Sequence, residues 1–479
     1  MKGGGVSVRS ALVATVLTFL LAACGTGAAA SRSAGVLRFA YTAFPSTLDP
    51  HKASTAWDEL FLFPAYDRVV TLKDGKPAPM IASSWWRSGD SIVFKIRSGA
   101  RFHDGTPLDA EAVRLNLERA RTLPESTAKP LLRMVKAVDV RGQDLVIGFV
   151  GSPDSLLDAL AHRAGALISP QAFGNLDLGR RPVGSGPYRV TSFRRDGNVS
   201  YSPFADYYDR SAQRLKGLEM SFVNDDDTRL NGVRSGQYDA TLIRPEQIGT
   251  ARRADLTVHE FKTGLTYQLN INTARSKFGD LRIRQALNLA VNRRAIGDQL
   301  LQGSCEPTTD AYDPERAKQL LGGEGFSFTA LVWNNVAYVQ LAEVIQAQLK
   351  QVGVTMILRP MSADQSLDLY QVKRSADALV SQIGGAAPNP ALIAQQNYLA
   401  DGLNNPGKLA DPRIEQLFAQ AGTSQQPQED FRTIAEYAAE DAYNVPICNR
   451  RLHYATTAQV QDFDQLLRGY DDIRVVGKS

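Results

Sequence analysis

"VFKIRSGARFHDGTPLDAEAV", residues 93–113, sets a histidine beside an aspartate just ahead of a glycine. Two readings compete: a catalytic His103–Asp104 pair, or a turn that carries the chain from a strand into a helix. In "SIVFKIR" (91–97), Ile92, Phe94 and Ile96 alternate with Val93, Lys95 and Arg97, the two-residue period of a strand. Gly99 permits a bend, and Asp104-Gly105 is a turn dipeptide because glycine takes positive φ without a Cβ clash. Thr106, Pro107 and Asp109 then open a helix. Asp109 can accept from the free N–H groups of the first turn, Glu111 complements the helix dipole, and Val113, Leu117 and Ala120 share one face. Neighbouring side chains of an extended segment point apart. Strand, turn and helix are therefore expected, and a catalytic pair is not.

The same alternation of elements continues downstream. Ile283, Ala286, Leu287 and Ala290 recur at helical spacing. Asp313-Pro314 is an N-cap followed by a first-turn proline, and Gly322-Gly323 stops that helix. Leu341, Ile345, Leu349 and Val352 form another apolar face that ends at Gly353, and "VTMIL" (354–358) follows at once as a strand. Helices running directly into short apolar strands predict α/β layering. At 479 residues the chain exceeds one average domain, so two or more lobes are expected.

These segments carry a resemblance. Phe94 to Val113 resembles the signature of the family 5 solute-binding proteins of ABC importers, the peptide- and nickel-binding group. "PSTLDPH" (45–51), "VGSGPYRV" (183–190), "YQLNINTARSKFGDLRIRQALNLAVNRRAI" (267–296), "YDPERAKQLL" (312–321) and "LAEVIQAQLKQVGVTMIL" (341–358) resemble further landmarks of that family, in the same order. The resemblance implies an α/β, two-lobed periplasmic-binding-protein fold (type II, cluster C) with an extra subdomain in the first lobe. Residues 36–268 would form lobe I, including subdomain 69–184; residues 269–453 would form lobe II; residues 454–479 would return to lobe I. It also implies capture of a small solute by hinge closure, delivery to a membrane permease, no catalysis, no cofactor and a monomeric chain.

The first residues read as a bacterial lipoprotein signal. Lys2 and Arg9 make a positive start, and the apolar run Ala11 to Ala23 is too short for a bilayer, which needs about 20 residues. "LAAC" ends at Cys24, whose thiol would carry the lipid anchor after residues 1–23 are removed, and residues 24–35 lack core-forming side chains and read as a tether. The alternative is an ordinary signal peptide with an incidental cysteine. Export to the periplasm or cell exterior is expected. Without Lys2 and Arg9 the chain has 52 basic against 50 acidic residues, and no basic stripe supports nucleic-acid binding. In an oxidising compartment Cys305 and Cys448 are expected to pair, with two separate thiols as the alternative. A protein-only metal site is not expected, since no CxxC occurs and none of the five histidines stands at i, i+4.

The ligand is harder to read. Peptide-binding members of the family carry an Asp, in a W-x-x-D-like stretch, that holds the peptide's ammonium. The matching "SQIGGAAPNPALIAQQN" (381–397) has no acid: Gln382 stands for the Trp, and Gly384 to Ala386 cover the Asp. A buried ammonium without a carboxylate is costly. The Arg that dipeptide-type members place before the "LAE" helix is also missing from "LVWNNVAYVQ" (331–340). Either other residues supply these charges, or the solute is not a free short peptide. The expected ligand is an oligopeptide or peptide-like solute; a nickel or other metal chelate is the alternative. For the chelate, Asn292 matches some nickel members, and Arg163 aligns with an arginine that grips a chelator's carboxylates, a task suited to a guanidinium fork. The remaining candidate contacts are aromatic or polar: Phe44, Thr47, Tyr267, Asn270, Trp333, Asn334, Gln382 and Asn389, each of which could instead be core packing or a turn residue.

A rival class is a penicillin-recognising acyl-serine enzyme. "STAK" (126–129) and "KTG" (262–264) match two of its motifs. The middle S-D-N is absent, and Pro130 discourages the helix on which Ser126 and Lys129 would share a face.

Overall fold

The structure is a computed structural model that describes residues 1, 35–53, 58–175, 177–194, 197–323, 325–384, 390–421, 424, 427–466 and 472–479. Cys24, the leader, the tether up to residue 34 and Asn389 lie outside the described residues.

One 11-stranded sheet runs through both halves of the molecule. At one end Val36–Tyr41 lies parallel to Gly217–Phe222 and to Ala240–Ile243, and the antiparallel strands Asn198–Pro203 and Tyr188–Arg194 extend it. At the other end Phe326–Trp333 lies parallel to Val354–Met361 and to Ala378–Ile383. Two long antiparallel strands join the ends, Thr257–Ile271 and the return strand Asn444–Thr456. Their register breaks between Lys262 and Thr266, around Gly264. A ladder interrupted at a strand glycine is where a sheet bends. Each half has its own core: Phe39, Phe61, Tyr188 and Met220 cluster in the first, Leu269, Leu287, Leu341 and Ile345 in the second. The molecule is thus two lobes, each closed around its own apolar interior.

The quoted stretch folds as strand Ser91–Ile96, turn and helix Ala110–Thr122. Asp109 caps the helix by accepting from the Ala112 amide at 2.9 Å, and Val113, Leu117 and Ala120 are buried. The strand belongs to a separate four-stranded antiparallel sheet with Ala82–Ser88, Asp144–Phe149 and Val135–Arg141. His103 and Asp104 form no pair. The His103 ring meets the Gly186 carbonyl at 2.9 Å, and its burial pushes its pKa down to about 4. Asp104 accepts from the Thr106 amide and from the Ser169 hydroxyl, at 3.0 and 2.6 Å. The turn is docked on "VGSGPY": the His103 amide donates to the Gly184 carbonyl at 2.8 Å. A Cβ on Gly184 would lie 1.9 Å from the Ala65 carbonyl oxygen, so glycine is obligatory at this close approach. The two family-like motifs are therefore one structural joint.

In the second lobe, Asp313 caps Pro314–Leu321 and Gly322 ends it in the left-handed conformation. Helix Val336–Gln351 buries Leu341, Ile345 and Leu349 against the sheet. The Cys305–Cys448 disulfide fastens the short strand Cys305–Pro307 to the return strand. The chain end comes back to the first lobe, where Lys478 pairs with Asp239 at 2.8 Å.

Candidate ligand-binding site

A cluster of rings and polar groups gathers where the joining strands meet the second lobe. Tyr267, on the first joining strand, packs edge-on against Tyr338 with ring centroids 5.3 Å apart. Trp333, at the end of its strand, lies 4.8 Å from the same Tyr338 ring, and its indole Nε1 is buried without an acceptor. Gln382 is the register partner of Tyr267 and accepts from Arg450 Nη1. The Arg450 guanidinium stands 4.7 Å over the Tyr267 ring. Its electrostatic neighbours are Tyr267, Tyr338, Tyr41 and Tyr454. Three of the residues predicted as ligand contacts, Tyr267, Trp333 and Gln382, are thus brought together around Tyr338 and Arg450.

The other predicted contacts are placed elsewhere. Phe44 packs against Phe61, Phe193 and Phe222 in the first lobe. The Thr47 hydroxyl accepts from the Asp49 amide at 3.1 Å in a loop held by an Asp49–Arg119 ion pair at 2.6 Å. Asn270 is buried and bonded to Gln268, the Leu379 carbonyl and Ser381. Asn334 is exposed, and its amide donates to the Met361 carbonyl. Asn292 caps a helical turn, accepting from the Ala295 amide at 2.9 Å. Tyr338 and Arg450 were not among the predicted contacts. The signal for Arg450 was an arginine pair, "RR" at 450–451, in the middle of the return strand Asn444–Thr456.

Arg163 is partly buried, with Nε lacking a partner. Next to it His162 Nδ1 meets Glu59 Oε2 at 2.8 Å, and the Arg163 amide donates to Glu59 Oε1 at 3.2 Å. Burial alone would lower His162 and raise Glu59. Their mutual attraction overrides it in both: His162 is pushed up to about 9, and Glu59 is held below the usual carboxylate range. The sign of the linkage follows. His162 contributes stability in full below its unfolded pKa of 6.5 and loses it as pH rises through 9. Thermal melts are expected to weaken by on the order of 2 kcal/mol between pH 6.5 and 9, and Glu59→Gln is expected to flatten that slope.

A groove of about 370 Å³ is lined by Pro77, Ser152, Ser155, Pro390, Pro427 and Phe431. Nearby, Arg133 and Asp401 bridge the lobes at 3.5 Å. Among the described residues no cluster of three His, Cys, Asp or Glu could hold a metal, and no helix is long and apolar enough to cross a membrane. The would-be acyl-enzyme residues are occupied in structure: the Ser126 hydroxyl donates to the Ala120 carbonyl, and the Thr263 hydroxyl donates to the Arg450 carbonyl.

Residues 76–405 match the model of the bacterial extracellular solute-binding proteins, family 5 middle region. The chain belongs to this family. Within it, the glutathione-binding protein GsiB of Escherichia coli K12 is 26% identical over 463 residues, 88% of this chain and 89% of that one. The fold is that of solved solute-binding proteins. DppA from Helicobacter pylori in complex with the peptide STSA superposes with a TM-score of 0.83 at 18% identity, over 93% of this chain and 98% of that one. AgaA from A. tumefaciens R10 in complex with agropinic acid gives 0.82 at 22% identity, over 93% and 99%. As a family 5 solute-binding protein the chain captures a solute outside the cytoplasm, and the joint between "FHDG" and "VGSGPY" is part of its frame.

Proposed function

We propose that this solute-binding protein takes up a peptide-like solute between its lobes and delivers it to an ABC permease, as a monomer held at the membrane by lipid on Cys24. The division into lobe I (36–268 with subdomain 69–184), lobe II (269–453) and a return to lobe I (454–479) belongs to this reading. The observation that carries it is the join: two strands connect two separately cored lobes, and their ladder is broken between Lys262 and Thr266. Such a join bends more easily than either lobe deforms, so a solute that touches both lobes shifts the population toward the closed form. A glutathione-binding relative that aligns along most of both chains supports a small peptide-like ligand. Tyr267, Trp333 and Gln382 supply rings and an amide for such a ligand, and no bond is made or broken in this reading. A metal chelate is the second reading, favoured by the unpartnered Nε of Arg163, which could grip a chelator's carboxylate.

The test is small-angle scattering with Trp fluorescence on the ligand-stripped protein. Glutathione or a di- to pentapeptide mixture is expected to shrink the radius of gyration and shift the emission. A change with nickel–histidine alone would select the chelate reading, and no change with any of the three would sink solute capture of either kind.

A further inference from the structure

Among the described residues Arg450, which is partly buried, has neither an ion pair nor the backbone-carbonyl acceptors that engage the more deeply buried arginines. Arg119 pairs with Asp49 at 2.6 Å, Arg68 with Asp472 at 2.7 Å and Arg474 with Asp67 at 2.7 Å. Arg284 and Arg293 spend their N–H groups on backbone carbonyls. Its neighbour Arg451, on the opposite face of the strand, meets Glu260 at 2.7 Å and Glu306 at 3.5 Å. Among the described residues Arg450 forms no ion pair, and its side chain donates to the Gln382 amide oxygen. A guanidinium has five N–H donors, so it keeps donors to spare. The Trp333 indole N–H, against the same Tyr338, is a buried donor with none of its need met.

Surplus donors beside a positive charge that lacks an ion pair are complementary to an anion. The Trp333 N–H is buried unmet, at a cost in free energy that a bound anion would recover. At Gly384, φ is +87° and a Cβ would lie 2.1 Å from the Gly264 carbonyl oxygen, so no carboxylate side chain can stand there. We infer that the solute presents a carboxylate to Arg450, with the guanidinium fork as the main clamp and Trp333 Nε1 as a second donor. Tyr267, beneath the guanidinium, holds the fork in place by a cation–π contact. The solutes taken are therefore acids, selected by a carboxylate rather than by an ammonium group. This inference rests on the proposed function.

The experiment uses a di- to pentapeptide digest supplemented with glutathione and divided in two, one half with every carboxyl methyl-esterified. Each half is offered to ligand-stripped protein; retained compounds are identified by mass spectrometry and scattering follows closure. The wild type is expected to retain compounds from the free-acid half at least roughly tenfold better than their esters, the worth of one charged hydrogen-bonding contact. Arg450→Gln is expected to erase that preference and Arg450→Lys to restore part of it. Trp333→Phe, which keeps a ring and removes the N–H, is expected to weaken retention of the acids without reversing the preference; it serves as the second variant should Arg450→Gln fold poorly. Equal retention of acids and esters with closure intact would overturn the carboxylate inference and leave solute capture standing. So would a folded Arg450→Gln that keeps the wild-type preference. Retention from neither half, with no closure, would overturn the proposed function and this inference with it.

Discussion

Asp472→Asn is expected to cost about 3–5 kcal/mol of folding stability, the range for breaking a buried ion pair by removing one partner. Asp472 holds two arginines. It accepts from Arg68 Nη2 at 2.7 Å and from Arg474 Nε at 2.6 Å, with a further bond from Arg474 Nη2. All three side chains are nearly sealed from solvent, at 1%, 8% and 8% exposure for Arg68, Asp472 and Arg474. Arg474 in turn reaches Asp67, which also accepts from the Tyr207 hydroxyl at 2.9 Å. Two cations and two carboxylates balance, and this network joins the Lys478–Asp239 pair in fastening the chain end to the first lobe. An amide at 472 keeps the shape but strands a positive charge away from water. Asp67→Asn is expected to cost less. Burial pushes the Asp67 carboxyl up to about 6 despite Arg474, so a neutral group at 67 is already close to tolerated. Urea unfolding of both variants at pH 7 checks the order. A larger loss from Asp67→Asn than from Asp472→Asn would refute this account of the network.

The frame was legible in the sequence because local chemistry set it. Ile92, Phe94 and Ile96 alternate, Asp109 caps, Gly322 turns left-handed, and each does so with partners close in the chain. The site was legible only in part. Tyr267, Trp333 and Gln382 do cluster, but Asn270 is consumed by Gln268, Leu379 and Ser381, two of which are more than a hundred residues away. Phe44 lies among phenylalanines from three other segments. Arg450 shows the limit most clearly. Side by side in the sequence, Arg450 and Arg451 are equivalent. Strand alternation turns one toward tyrosines of both lobes and the other toward Glu260 and Glu306, and only the pairing of the return strand reveals which. Whether a charge is paired is a property of the fold, not of the residue.

Replacing both Cys305 and Cys448 by serine is expected to remove about 2–4 kcal/mol of stability, because the bridge closes a long loop in the unfolded chain. The half-cystines are 143 residues apart, a span that holds most of the second lobe. The native geometry gives the loss a direction as well as a size. Cys305 lies across from Arg450 in the ladder, and Cys448 lies across from Tyr267 on the other side of the same strand. The bridge therefore ties the edge strand Cys305–Pro307 to the segment that carries Arg450, where the ladder with the first joining strand is already broken nearby. Losing it should loosen that segment before the core of either lobe. Hydrogen exchange of the double-serine protein is expected to rise first at 304–308 and 447–451, with denaturant midpoints falling for the whole molecule. Uniform exchange changes, or a midpoint equal to that of the wild type under oxidising conditions, would show that the bridge holds nothing the strands do not already hold.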